Sequence, residues 1–393
     1  MVSSRSNYSH LFVFVLRKML LEAIHVVFLG VSAINLLYIF YSCICPSIGI
    51  IMKRNQWSLF FLITGVILFI FYLVYTNPFK VLTEVGRFNP WMFAAAVAVN
   101  YLGLVFLSAS WHIILKSLGF KSSLWTSIQI SFTGLFAVWI LPFPSGFEIV
   151  RAYLIHDKEG GNLGKAVSSV IVSKVYYFIS FGFMISLGAI IVHLVNGSAI
   201  PIRHEYIWFA VIFALSNTAM FALILSPNRL MNLYQRSPDW LKNQIEKYLY
   251  SSRFGLSSFE EFVNEIHESL NTLREKPFEN LLSLCLVGFH WSTGAITAYM
   301  VSRSLNEPIN FWVIVLIYAV IEFIQQLNFI IPSGLGIVDA GLAGAFVVLG
   351  VPLEVASAIS LLTRLATYWF ELVLCGFVSF QFGYREVLSD YLG

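Results

Sequence analysis

The stretch PSGFEIVRAYL at residues 144–154 decides the architecture, because it returns as PSGLGIVDAGL at residues 332–342. Seven of the eleven positions are identical, 188 residues apart. Upstream, KSLG at 116–119 is answered by RSLN at 303–306, 187 residues on. Downstream, Ala166, Ser173 and Lys174 are answered by Ala356, Thr363 and Arg364, 190 residues on. Three matches at a nearly constant separation identify two duplicated units. They extend roughly over 58–195 and 206–383.

Each unit is built from apolar runs. Runs of about 18 or more residues read as membrane-spanning helices. They fall near 58–76, 90–115, 165–195, 206–226, 280–302 and 353–383. Two further runs, 123–142 and 311–331, each end in a Pro-Ser-Gly break. Composition agrees: 58% of the 393 residues are hydrophobic and 11% are charged. A soluble domain carries about 25% charged residues, and this chain lacks the polar surface to stay in solution. The 36 phenylalanines suit contact with lipid, and a net charge of +3 is too small to argue for nucleic acid. Cys43, Cys45, Cys285 and Cys375 sit in apolar runs without metal-site spacing, so they read as small hydrophobes. No metal or cofactor is expected. The sequence holds no G-x-S-x-G, H-E-x-x-H, P-loop or D-x-D loop, which leaves nucleophilic catalysis little support and argues against direct ATP drive.

Basic residues collect on the cytoplasmic side of a membrane protein. If each Pro-Ser-Gly break turns the chain back to its starting side, one face holds Lys53, Arg54, Lys116, Lys121, Lys158, Lys165, Arg385 and the basic residues of 227–279. The other holds only Lys80, Arg87, Arg203 and Arg303. This places both ends of the 52–393 core in the cytoplasm. The expected fold is an all-α integral membrane protein of the cell membrane. It is an inverted repeat of two units, each with three spanning helices and one broken re-entrant helix pair. The first unit covers 52–205. The second covers 206–393 and includes a polar cytoplasmic segment, 227–279. There Phe259, Phe262, Val263, Ile266 and Leu270 recur at helical spacing, as on a surface amphipathic helix or hairpin. Residues 1–51 fit this topology poorly, because a further span would move Lys53 and Arg54 to the outside. They read as an N-terminal extension preceding Met52, without a signal-peptide cleavage site.

The breaks carry the chemistry. Pro144 and Gly146 stop the first broken helix, and Pro332, Gly334 and Gly336 stop the second. The helices that follow point their N-termini at the break, where anions are attracted. Arg151 and Asp339 occupy equivalent positions with opposite charge. Three arrangements fit: an Arg151–Asp339 pair across a pseudo-twofold axis that opens to admit a lipid phosphate; Arg151 on the phosphate itself, steadied by Glu148 or Asp339; or a static structural pair. Lys174 and Arg364 are repeat mates within apolar spans, too deep to snorkel. They read as cavity-lining cations, with Glu322 and Glu371 available to neutralise them. Gln325, Gln326 and Asn328 are placed to cap the second break. His112 and His290 lack metal spacing and read as structural.

At the two break motifs the sequence resembles the lysylphosphatidylglycerol synthase transmembrane-region family. That family includes the membrane part of the multiple peptide resistance factor of bacteria, membrane regions of some archaeal polyprenyl-phosphate glycosyltransferases, and stand-alone members. The marks are LPFPSGFEIVRAYL at 141–154 and IPSGLGIVDAGLAGAFVVLGVPLEVASAISLLTRLATYW at 331–369. The first departs from the family at Phe147 and Glu148, which replace a more glycine-rich run. No aminoacyl-transferring or glycosyltransferase domain is read here, so aminoacylation of lipid is not implied. The resemblance implies translocation of lipid, or membrane support for a separate lipid-modifying enzyme. The expected function is a flippase-like carrier of an anionic phospholipid, an aminoacylated phospholipid or a polyprenyl-phosphate-linked sugar. The alternatives are a membrane transferase acting on a polyprenyl phosphate, and a non-catalytic subunit binding a soluble enzyme through 227–279.

Overall fold

The computed structural model describes residues 63, 65–140, 146–160, 162–196, 232, 234–239, 242–243, 259–325 and 334–382. Residues 1–51, the span near 206–226, Pro144, Pro332, Gln326 and Asn328 lie outside the described residues, as do the side chains of Glu322 and Gln325. Among the described residues every regular element is helical, as the apolar periodicity requires. In chain order they are α1 (Gly65–Tyr75), α2 (Pro78–Val85), α3 (Pro90–Ser117), α4 (Leu124–Ile140), α5 (Gly146–Glu159) and α6 (Leu163–Asn196). Then come α7 (Phe259–Arg274), α8 (Pro277–Ser304), α9 (Phe311–Gln325), α10 (Ile337–Val348) and α11 (Leu353–Arg364). A π-helical turn (Leu365–Trp369) joins α11 to α12 (Phe370–Gln381).

Four helical stretches are long and apolar enough to cross a membrane: Pro90–Ser117, Leu163–Val192, Pro277–Ser304 and Leu353–Gln381. A fifth candidate is bent by 82° between α1 and α2. Asn77 turns there in the left-handed region at φ 59°, and Pro78 starts a new helix where its missing N–H costs nothing. The run near 58–76 therefore continues into a second helix after a sharp corner.

The helix order of one half recurs in the other. α3 and α8 are both 28 residues long and both begin with Pro at N1. Each is followed by a shorter apolar helix, a break, a short helix and a long span. The break helices α4 and α5 begin and end at one level, since the Lys121 amide donates to Glu159 Oε2 at 3.1 Å.

α3 and α8 form the centre of the molecule and run antiparallel. Asn89 N donates to Ser304 O, and Lys276 Nζ donates to Ser117 O at the opposite end, each at 2.9 Å. Between these ends lie Thr297 Oγ1 on Ala96 O, His290 Nδ1 on Gly103 O, and Ser110 Oγ against Ser283 Oγ at 2.7 Å. The contacts advance seven residues along one helix and retreat seven along the other. That is the period of left-handed antiparallel packing. Ala96, Gly103, Ser110 and Ser117 line the α3 side, and small residues let helix backbones approach in lipid. At Gly103 a Cβ would collide with the Thr293 hydroxyl.

α7 is the amphipathic helix expected within 227–279. Its buried side is Val263, Ile266, Ser269 and Leu273. Leu270 and Leu273 join a cluster with Trp111, Ile114, Leu115, Ile155 and Val170. Glu265 Oε2 accepts from the Gly164 amide at 2.7 Å, which caps the start of α6. Burial raises the Glu265 carboxyl above the ordinary range, against the lowering effect of the Gly164 hydrogen bond. Most of the apolar stripe read from the sequence therefore packs within the chain.

Candidate functional site

The first-half break leads into α5, which carries Glu148 in its first turn and Arg151 one turn later. An acidic group is favoured there by the helix dipole. Glu148 pairs with Lys174 of α6 at 2.7 Å, with side chains 16% and 28% exposed. Lys174 Nζ also lies 5.5 Å from the ring centroids of Tyr177 and Phe178.

Arg151 is 1% exposed. Its guanidinium carbon sits 4.0 Å from the ring centroid of Trp111 and 4.5 Å from that of Phe147. Trp111 is fully buried and is held by its indole N–H, which donates to Ser169 Oγ at 3.0 Å. Among the described residues Nε and Nη2 of Arg151 have no hydrogen-bond acceptor. Buried N–H groups on a charged centre are costly without a partner. Two aromatic faces offset part of that cost and leave the in-plane donors available.

The second-half break leads into α10. Gly336 precedes it at φ +79°, and a Cβ there would meet the backbone of α1 at Phe69 N, 2.7 Å away. The position needs glycine for its dihedral and for this approach. The Gly336 amide donates to Asp339 Oδ2 at 2.9 Å. Asp339 Oδ1 faces Arg364 Nε at 3.5 Å, with side chains 2% and 3% exposed. Ser360 Oγ donates to the Asp339 carbonyl at 2.8 Å. Tyr72 of α1 lies close to Ser357, Ser360 and Asp339. The Arg364 guanidinium covers Tyr368 at 4.7 Å, and Tyr368 meets Trp139 of α4 edge-on.

The wide π turn after Arg364 sends the Phe370 amide to Leu365 O, which leaves Ala366 O for Asn100 Nδ2 at 3.3 Å. The same Asn100 nitrogen donates to Glu371 Oε1 at 2.6 Å.

These positions correct one expected pairing. Arg151 does not pair with Asp339, because Asp339 is held by Arg364 on the neighbouring helix of its own half. Lys174 is paired with Glu148, and Glu371 accepts from Asn100 of α3. The two ion pairs correspond across the repeat with one change of register. The cations are mates, but Glu148 is the mate of Gly336, one turn before Asp339. Trp111, Ser169, Asn100 and Tyr72 were not singled out from the sequence. A lone Asn and a Trp inside apolar spans were the available signals.

The sequence pattern defining the family described as Lysylphosphatidylglycerol synthase TM region matches residues 59–375. The chain is 26% identical over 316 residues to a UPF0104 membrane protein of Methanocaldococcus jannaschii, which covers 80% of this chain and 91% of that one. It is 20% identical over 323 residues to a UPF0104 membrane protein of Methanothermobacter thermautotrophicus, with 81% and 90% covered. A UPF0104 membrane protein of Pyrococcus horikoshii is 20% identical over 297 residues, with 72% and 84% covered.

Proposed function

The chain belongs to the lysylphosphatidylglycerol synthase transmembrane-region family, and on that premise we propose that it carries an anionic lipid headgroup across the bilayer, taking the phosphate at Arg151. The observation that carries this reading is the burial of Arg151 with two guanidinium nitrogens that have no acceptor among the described residues. A phosphate monoanion or diester supplies oxygens in the plane of a guanidinium, where paired N–H···O bonds form. α5 begins at the same break, and the start of a helix attracts an anion. Lys174 stands near, tied to Glu148, and takes over the headgroup when that pair opens. The acyl chains stay in lipid.

The antiparallel α3/α8 seam supports reading the two units as inverted, related by a pseudo-twofold axis in the membrane plane. Inverted units exchange inward- and outward-facing forms by the same movement. With the Lys and Arg bias, both ends of the 52–393 core face the cytoplasm in this reading.

The test is translocation in proteoliposomes. The full chain is reconstituted with phosphatidylglycerol labelled on an acyl chain, and movement is read as protection from an external quencher. Arg151→Ala is expected to slow movement at least tenfold, the scale of lost hydrogen bonds to a charged group, while remaining monodisperse in detergent. Undiminished movement in that variant sinks the direct role of Arg151.

A further inference from the structure

We propose that His290 is a second headgroup contact at the middle of the membrane, and that it selects headgroups bearing a hydrogen-bond donor. This inference rests on the carrier reading above.

His290 and Gly103 each sit at the midpoint of a 28-residue span. At 1.5 Å per residue this is about 21 Å from either helix end. The imidazole Nδ1 lies 3.0 Å from Gly103 O. A carbonyl only accepts, so Nδ1 carries the proton and Nε2 of the neutral ring carries a lone pair. Among the described residues Nδ1 alone has a hydrogen-bond partner. The ring is half-buried and lies 6.1 Å from Tyr177. Trp291, the next residue, packs on Tyr177 and Phe181 and donates its indole N–H to Tyr177 O at 3.1 Å. The hydrogen bond from Nδ1 to Gly103 O sets the orientation of the His290 ring. An acceptor at the bilayer centre is costly without a donor, and among the described residues none is placed to donate to Nε2.

The position lies on the route from Arg151. Trp111, which holds Arg151, is eight residues along α3 from Gly103. Ser169, which holds Trp111, is eight residues along α6 from Tyr177. Both separations correspond to about 12 Å along the helices. Lys174 lies between the two levels, over the Tyr177 ring. A headgroup leaving Arg151 meets Lys174 and then His290. Groups that donate to Nε2 are the hydroxyl of a polyol headgroup and the ammonium of an amine headgroup. A headgroup with neither leaves the acceptor bare.

Two pairs of acyl-labelled lipids, matched in charge, test this in proteoliposomes of the full chain. Phosphatidylglycerol is compared with phosphatidylmethanol for the hydroxyl, and phosphatidylethanolamine with phosphatidylcholine for the ammonium. The wild-type chain is expected to move the donor-bearing member of at least one pair about tenfold faster, the scale of one hydrogen bond. The pair that shows it identifies the donor. His290→Phe is expected to bring that ratio to about one, whereas His290→Gln, which can both donate to Gly103 and accept, keeps it. A preference unchanged in His290→Phe overturns the proposal, as does equal slowing of both members of the pair. Movement by the wild-type chain without any preference overturns it while leaving the carrier reading intact. No movement of any lipid overturns both.

Discussion

The two halves of this protein share a helix order and differ in the charge they bury. Among the described side chains, the first half holds Arg151 and Lys174 against one carboxylate, Glu148. The second holds Asp339 against Arg364 and buries Glu371 on Asn100. The first-half ion pair is partly open, at 16% and 28% exposure, and the second is closed, at 2% and 3%. Each half holds one acid–cation pair, and the acid sits one turn later along the sequence motif in the second half than in the first. Under the carrier proposal, the excess cation and the open pair are the anion-binding side. The sealed pair, tied to Gly336, Ser360 and the α1 backbone, suits a fixed half.

This contrast predicts a graded set of effects. The largest belongs to the closed pair. Asp339→Ala leaves Arg364 buried without its carboxylate and is expected to cost about 3–5 kcal/mol, read as loss of thermal stability in detergent. A loss no greater than that of Glu148→Ala would break the comparison. Gly336→Ala comes next, at about 1–3 kcal/mol, because it strains a positive φ and pushes on the α1 backbone. Its repeat mate, Glu148, already carries a side chain, so the glycine requirement belongs to the second half alone.

Glu148→Gln is expected to cost only about 1–2 kcal/mol, since the Lys174 pair is partly solvated. Freed of its carboxylate, Lys174 adds to the positive potential beside Arg151. Apparent affinity for an anionic lipid should rise, as a lower half-saturating lipid fraction in vesicles. Weaker binding in this variant would mean that Glu148 itself touches the headgroup.

The smallest effect concerns α7. The Glu265 carboxyl is raised by burial, and Glu261 and Glu268 add to that while Gly164 and Lys165 oppose it. A raised folded value means the folded state holds the proton more tightly. Docking of α7 is then strongest below the ordinary carboxylate range and weakens as pH rises through the raised value. Hydrogen exchange across 259–274, corrected for intrinsic rates, should show more protection at about pH 4 than at about pH 7. Glu265→Gln should flatten that difference.

The spans were legible because lipid demands long apolar helices, and their ends were marked by residues such as Pro90 and Pro277. The α3/α8 seam was not read from the sequence, although Ala96, Gly103, Ser110 and Ser117 recur every seven residues inside an apolar run. Nor was the pairing of charges legible. Repeat arithmetic sets Arg151 opposite Asp339, but an ion pair is chosen by which helix faces which, and one turn of register sends Asp339 to Arg364. His290 read as a structural histidine because nothing in its neighbourhood along the chain announces Gly103, which lies on another helix.

By itself, then, the sequence determined a membrane-embedded helical protein with a duplicated pattern and two breaks, since hydropathy, proline and glycine act locally on the backbone. Only the tertiary structure decided which buried charges are satisfied and which stay available. Burial and partnership depend on helices far apart in the chain: Trp111 over Arg151, Asn100 on Glu371, Gly103 beneath His290. In a medium without water to fill unmet hydrogen bonds, those meetings set the chemistry.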